Sequence, residues 1–329
     1  MSVAPSNSGV VAPGPGANSP GPAAGTAATT TSNAAATTLP PSRSGFLWRL
    51  ISSLVLWAIM LAVVFWLPPT AMYIFMNVVI ARAVWEFYKI CEAKGLPSYK
   101  VWGVIGTVAM VSGSWFVFGM RQFRSTADFA ALSYDFDICI LLVFALGVFI
   151  RQFPQKLNAH GIETMAVTLF GLMYVAWLGN FITRVNFVTA NGRYWVMFLV
   201  VVTKFTDIGA YLIGSSLGRH KMIPRISPKK TWEGTFGGML FAIGGSWLCY
   251  AILPELSHDG LTLLHMVTLG LLLGGAAVIG DLAESLVKRE AGVKDSSTIL
   301  PGHGGCLDMI DSLLFTAPLL YVYMRLVLR

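Results

Sequence analysis

Long apolar stretches recur along this 329-residue chain, at 46–67, 70–90, 101–119, 136–150, 164–182, 194–214, 235–253, 264–284 and 312–328. A helix needs about 20 apolar residues to cross the roughly 30 Å hydrocarbon core of a bilayer. It is also one of the few structures that satisfies its own backbone there. The pattern predicts an all-α fold: a polytopic integral membrane protein with about nine transmembrane helices. The fourth stretch is short, and polar residues interrupt the eighth. Composition excludes the soluble alternative. Only 12% of residues are charged and 55% are hydrophobic, with a mean hydropathy of +0.66, whereas soluble domains carry about 25% charged residues.

Residues 1–42 are dominated by Ala, Pro, Gly, Ser, Thr and Asn. Such a segment buries too little apolar area to offset its ordering entropy, and is expected to be a disordered low-complexity tail. It lacks the basic start and short apolar core of a cleaved signal, so the stretch from Phe46 to Leu67 is expected to stay as an anchor. Two membrane regions follow, 43–190 with the N-terminal helices and 191–329 with the candidate catalytic residues.

The formal net charge of +7 does not mark a nucleic-acid binder, because the basic residues gather in loops. Arg43, Arg49, Lys89, Lys94, Lys100, Arg151, Lys156, Arg219, Lys221, Arg225, Lys229, Lys230, Lys288, Arg289 and Lys294 fall on one side of the predicted topology. Only Arg121, Arg124, Arg184, Arg193, Arg325 and Arg329 fall on the other. This bias puts the N-terminus and the loops 215–234 and 285–311 in the cytoplasm. Cys91, Cys139, Cys249 and Cys306 show neither a CxxC spacing nor a disulfide framework. Gly234/Gly238 and Gly270/Gly274 have the four-residue spacing that lets membrane helices approach closely.

Ionisable residues inside spans are costly and are usually paired. Arg82 and Glu86, one turn apart, read as such a pair. A denser set lies further on. Lys204, Asp207 and Tyr211 share one helical face. The loop after them carries Ser227, Lys229, Lys230, Thr231 and Gly234, a plausible cradle for phosphate oxygens. Asp281, Glu284, Ser285 and Lys288 form one polar stripe at the end of the eighth stretch, followed by Arg289, Lys294 and Asp295. Pro301, Gly302, Gly304 and Gly305 force a tight backbone around His303. Asp308 and Asp311 open the last helix on one face. Three carboxylates (Asp281, Asp308, Asp311) beside lysines at a membrane boundary suit Mg²⁺, which takes one or two carboxylates and shares substrate phosphates. The residues alone leave two readings open: Mg²⁺-dependent phosphoryl or nucleotidyl transfer involving a lipid, and a cation-coupled transporter. No GxxxxGK[ST] loop is present.

The C-terminal residues resemble the phosphatidate cytidylyltransferase (CDP-diglyceride synthase) family. Its signature has the form S-x-aliphatic-K-R-x4-K-D-x-small-x2-aliphatic-P-x-H-G-G-aliphatic-x-D-R-aliphatic-D. Ser285, Val287, Lys288, Arg289, Lys294, Asp295, Ser297, Leu300, Pro301, His303, Gly304, Gly305, Asp308, Ile310 and Asp311 occupy it in register. The 207–211 helix, the 227–234 loop and, more weakly, Trp85–Tyr88 are similar to further family elements. Two positions depart: Cys306 replaces an aliphatic residue, and Met309 replaces an arginine, removing a fixed cation with five donors.

The resemblance implies cytidylyl transfer from CTP to phosphatidic acid, giving CDP-diacylglycerol and pyrophosphate at the cytoplasmic (inner) membrane. It implies Mg²⁺ on Asp281, Asp308 and Asp311, with Asp207 as an alternative ligand. Lys204, Lys229, Lys230, Lys288 and Lys294 would screen phosphate charge. Ser227, Thr231, Gly304 and Gly305 would donate hydrogen bonds, and His303 would contact either substrate. Glu284, Ser285, Arg289 and Asp295 complete the substrate-binding set. The family is compatible with a homodimer. A CTP-dependent polyprenol or phytol kinase shares the same setting. A transporter or inactive homologue is the reading from another class.

Overall fold

The computed structural model describes residues 43–121, 127–155, 159–297 and 304–328. The expected tail 1–42 and the candidate His303 lie outside the described residues.

Helix α1 (Arg43–Leu61) runs into a π-helical turn (Ala62–Trp66). Then come α2 (Pro69–Ala93), α3 (Lys100–Arg121) and α4 (Ala127–Gln152). Helices α5 (Gly161–Gly171) and α6 (Leu178–Val185) join through a second π-helical turn, Leu172–Trp177. After α7 (Gly192–Ser216), strands β1 (Lys221–Ile223) and β2 (Ser227–Thr231) make a small hairpin. Helix α8 (Trp232–Ile252), the single turn α9 (Glu255–His258), α10 (Leu263–Glu290) and α11 (Cys306–Leu326) complete the order. The antiparallel hairpin pairs Lys221 with Thr231 and Ile223 with Ser227, and is the one sheet among the described residues.

Among the described residues, six helices are long and apolar enough to cross a membrane: Lys100–Gly119, Gly161–Val185, Gly192–Ser216, Trp232–Ile252, Leu263–Glu290 and Cys306–Leu326. The protein is thus an all-α polytopic membrane protein. The three other predicted stretches are also helical. The first lies in α1 and its π-helical turn, where Leu54–Trp66 is a shorter apolar helical segment. The second lies within α2 and carries Arg82, Glu86 and Lys89. The fourth falls within α4.

Local signals explain the element ends. Pro69 starts α2 at a position where its missing N–H costs nothing. Thr231 leaves β2 in extended conformation and caps α8, accepting the Gly234 N–H at 3.1 Å. Helix α10 ends in a Schellman turn. Gly292 has φ +70°, its N–H bonds the Arg289 carbonyl at 3.1 Å, and the Val293 N–H bonds that of Lys288 at 3.0 Å.

The glycine pairs pack as expected. A Cβ on Gly234 would stand 2.8 Å from the Ala210 carbonyl oxygen, so α7 and α8 touch backbone to backbone. A Cβ on Gly270 would stand 2.8 Å from the Ile243 Cα, which brings α10 equally close to α8. Helices α2 and α6 pack on α11, so residues from both sides of the 190/191 boundary share one core. Away from the polar site, buried Arg184 pairs with buried Asp137, and its guanidinium lies 4.8 Å from the ring centre of Phe181.

Candidate active site

Helices α7, α8, α10 and α11 and the hairpin enclose a polar cavity of about 740 Å³. The close α7–α8 and α8–α10 packing sets its walls, and β2 brings the loop lysines over it. Five lysines (204, 221, 229, 230 and 288) and six acids (Asp207, Asp281, Glu284, Asp295, Asp308, Asp311) line it.

The α10 stripe forms because Asp281, Glu284 and Lys288 recur at helical spacing. Glu284 and Asp311 are buried, and Asp281 is half-buried. One carboxylate oxygen from each of these three lies within 4.8 Å of the others. Bare carboxylates this close repel one another strongly in a low-dielectric setting. Cations compensate. Lys230 reaches from β2 to Asp281 at 2.7 Å and to the Val278 carbonyl at 3.2 Å. Lys288 stands 2.6 Å from Glu284. Lys204 pairs with Asp207 at 3.1 Å and also feels the charges of Asp311 and Asp281. Hard oxygen donors converging on one point are a set that could hold a divalent cation, with one oxygen each from Asp281, Glu284 and Asp311.

Asp308 stands outside this trio, although it was expected to join Asp281 and Asp311. One of its oxygens pairs with Lys288 at 2.7 Å. The other accepts the backbone N–H of Gly305 at 2.7 Å and of Ser296 at 3.0 Å, and lies 2.6 Å from the Ser296 hydroxyl. As the third residue of α11 it folds back on the helix start, the geometry of a capping carboxylate. Glu284, expected among substrate contacts, takes its place in the cluster.

Most remaining candidates are gathered here too. Ser227, Lys229, Lys230 and Thr231 line the cavity, although Thr231 already caps α8. Asp295 lines it and is exposed. Ser285 donates to Asp281 at 3.3 Å without lining the cavity. Arg289 instead donates to the Ile226 carbonyl at 3.4 Å, tying α10 to the hairpin. Lys294 is exposed and off the cavity wall; half-buried Gly304 and buried Gly305 do not line it either. Gly304 has φ +86°, which admits the turn into α11 and favours glycine there.

Two contributors escaped the sequence reading of the site. Glu86 on α2 is fully buried; it lies 3.3 Å from Arg82, accepts the Leu307 N–H at 2.9 Å, and lies 3.2 Å from the Ser296 hydroxyl. It is an anchor for the start of α11. Its pairing with Arg82 was legible from the one-turn spacing, and Trp85–Tyr88 is similar to a family element, but neither signal pointed to α11. Ser296, shared between Glu86 and Asp308, had none, since it occupies an unspecified position of the signature.

A model of the cytidylyltransferase family matches residues 47–327. Over 159 residues the chain is 41% identical to the uncharacterized protein YnbB of Escherichia coli K12, covering 48% of this chain and 51% of that protein. It is 45% identical over 128 residues to a phosphatidate cytidylyltransferase of Brucella suis biovar 1, covering 39% and 46%. With that of Bacillus subtilis 168 it shares 32% over 186 residues, covering 56% and 68%. The chain spans about half the length of the first two relatives and about two thirds of the third.

Proposed function

Because the chain belongs to the cytidylyltransferase family, we propose that it is a phosphatidate cytidylyltransferase. It would join CTP and phosphatidic acid to give CDP-diacylglycerol and pyrophosphate, a step of phospholipid biosynthesis. The observation that carries this reading is the meeting of Asp281, Glu284 and Asp311 with Lys204, Lys230 and Lys288 at one polar cavity.

In this reaction a phosphate oxygen of the lipid attacks the α-phosphorus of CTP. The bond from that phosphorus to the β-bridging oxygen breaks, and pyrophosphate departs. A phosphate monoester is already largely ionised at neutral pH, so no general base is needed. The work is positioning and charge neutralisation. Ser227 and Lys229 on β2 line the cavity and would contact the triphosphate. Lys230 and Lys288 hold Asp281 and Glu284 in place. Lys204 faces the lipid phosphate.

The cavity's own lysines and acids nearly cancel, so two polyanionic substrates require added positive charge. This supports Mg²⁺ on Asp281, Glu284 and Asp311. When bound there, the ion supplies neutralisation of phosphate oxygens and of the leaving pyrophosphate. The basic loops also support an orientation with the N-terminus and this cavity on the cytoplasmic face.

The test is incubation of the purified chain with radiolabelled CTP, phosphatidic acid and Mg²⁺. Labelled CDP-lipid with equimolar pyrophosphate is expected. Transfer of the γ-phosphate without pyrophosphate would instead identify a CTP-dependent kinase. No labelled lipid from well-folded protein would overturn the reading.

A further inference from the structure

A second cavity of about 220 Å³ adjoins the polar one. Leu56 and Trp57 of α1, Met76 and Val79 of α2, and Leu313 of α11 are among its walls. It is apolar except at one end, where Lys204 and Asp308 line both cavities. Met309 lines this apolar cavity and is absent from the lining of the polar one, while its carbonyl accepts from Lys204 at 3.4 Å.

We propose that this cavity is a subsite for one hydrocarbon chain of the lipid phosphate, with Met309 at its mouth as a specificity-determining residue. The proposal rests on the phosphatidate reading above. Its occupant follows from complementarity and continuity. A lipid phosphate has an anionic head joined to an apolar chain, and the two cavities meet at the cation Lys204. A head bound there directs the chain into the apolar walls. Water is a poor occupant, because it needs two to four polar partners. The ribose and base of a nucleotide are similarly mismatched.

Met309 bears on selectivity through its chemistry. An arginine, the residue of the resembled signature, would put a guanidinium with five donors at this mouth. Methionine is unbranched and polarisable, and adapts to irregular apolar shapes. A chain leaving the bilayer exchanges one hydrocarbon setting for another, so the subsite acts by shape and appears as chain selectivity.

The experiment uses the full chain in detergent or nanodiscs, with labelled CTP and either dihexanoyl- or dioleoyl-phosphatidic acid. Met309→Phe and Leu313→Phe, which fill the cavity, are expected to lower the long-to-short ratio of kcat/KM at least tenfold. The KM for CTP should stay within twofold. Ile279→Phe, on an exposed face, should leave the ratio unchanged. Independently, phosphatidic acid with a diazirine at the chain end should label the cavity wall of the unmodified protein, mapped by mass spectrometry. An unchanged ratio in both filled variants, or label confined to residues outside the cavity, overturns the subsite. Cavity labelling without any CDP-lipid would keep the subsite and sink the cytidylyl-transfer reading. Should a filled variant fail to fold, labelling of the unmodified chain decides.

Discussion

Lys230, on the hairpin, places its ammonium 2.7 Å from the carboxylate of Asp281 on α10. The contact joins a loop strand to a membrane helix across the candidate active site. It positions one carboxylate of the acidic cluster and spends one lysine on that task.

Lys230→Ala should therefore lower kcat/KM for CTP at least tenfold, whereas Lys230→Arg should retain more than Ala. Steady-state assays with labelled CTP check this. Equal activity in Lys230→Ala and the unmodified protein would show that the pair is incidental.

Asp281→Asn, Glu284→Gln and Asp311→Asn should each raise the Mg²⁺ concentration needed for half-maximal turnover and lower kcat about a hundredfold, as loss of a metal-holding group removes several kcal/mol of charge stabilisation. Asp308→Asn should behave differently. It should leave the Mg²⁺ requirement within a few-fold but lower stability by about 1–3 kcal/mol, since its buried partners are left unsatisfied. Magnesium titrations beside thermal melts separate the two patterns. A shared Mg²⁺ phenotype would return Asp308 to the ligand set.

Glu86→Ala removes the acceptor for the Leu307 N–H and the partner of Arg82. A destabilisation of about 1–3 kcal/mol is expected from the unpaired groups. In detergent, the melting temperature should fall, and bound nucleotide should restore part of it. A melting temperature unchanged from the parent would remove the anchor role.

Gly270→Leu should separate α8 from α10, because even a Cβ would stand 2.8 Å from the Ile243 Cα. Folded yield and activity should drop together. Gly244→Ala is the matched control, since nothing lies within 4 Å of its added Cβ. Fluorescence-detected size exclusion reads both, and a monodisperse, active Gly270→Leu protein would contradict the packing argument.

The membrane class and most of the polar residues were legible in the sequence. Six of the expected stretches form helices of spanning length and apolarity. Lys204, Asp207, Ser227, Lys229, Lys230, Asp281, Asp308 and Asp311 all line one cavity. Partner choice was less legible. Helical spacing put Asp308 and Asp311 on one face, yet Asp308 turns to Gly305, Ser296 and Lys288. Glu284 reads from the sequence as one residue of a polar stripe and of the substrate-binding set; the fold buries it beside Asp281 and Asp311.

What the sequence determined by itself was the solvent of each segment and the chemical stock of the site. Insertion into lipid and helical periodicity are local properties that a single stretch carries. Only the tertiary structure decided which three carboxylates meet, that Glu86 reaches Leu307 across 221 positions, and that Met309 belongs to an apolar cavity. Those outcomes depend on how closely glycine faces let helices approach and on where the chain returns after each loop. No single segment contains that information.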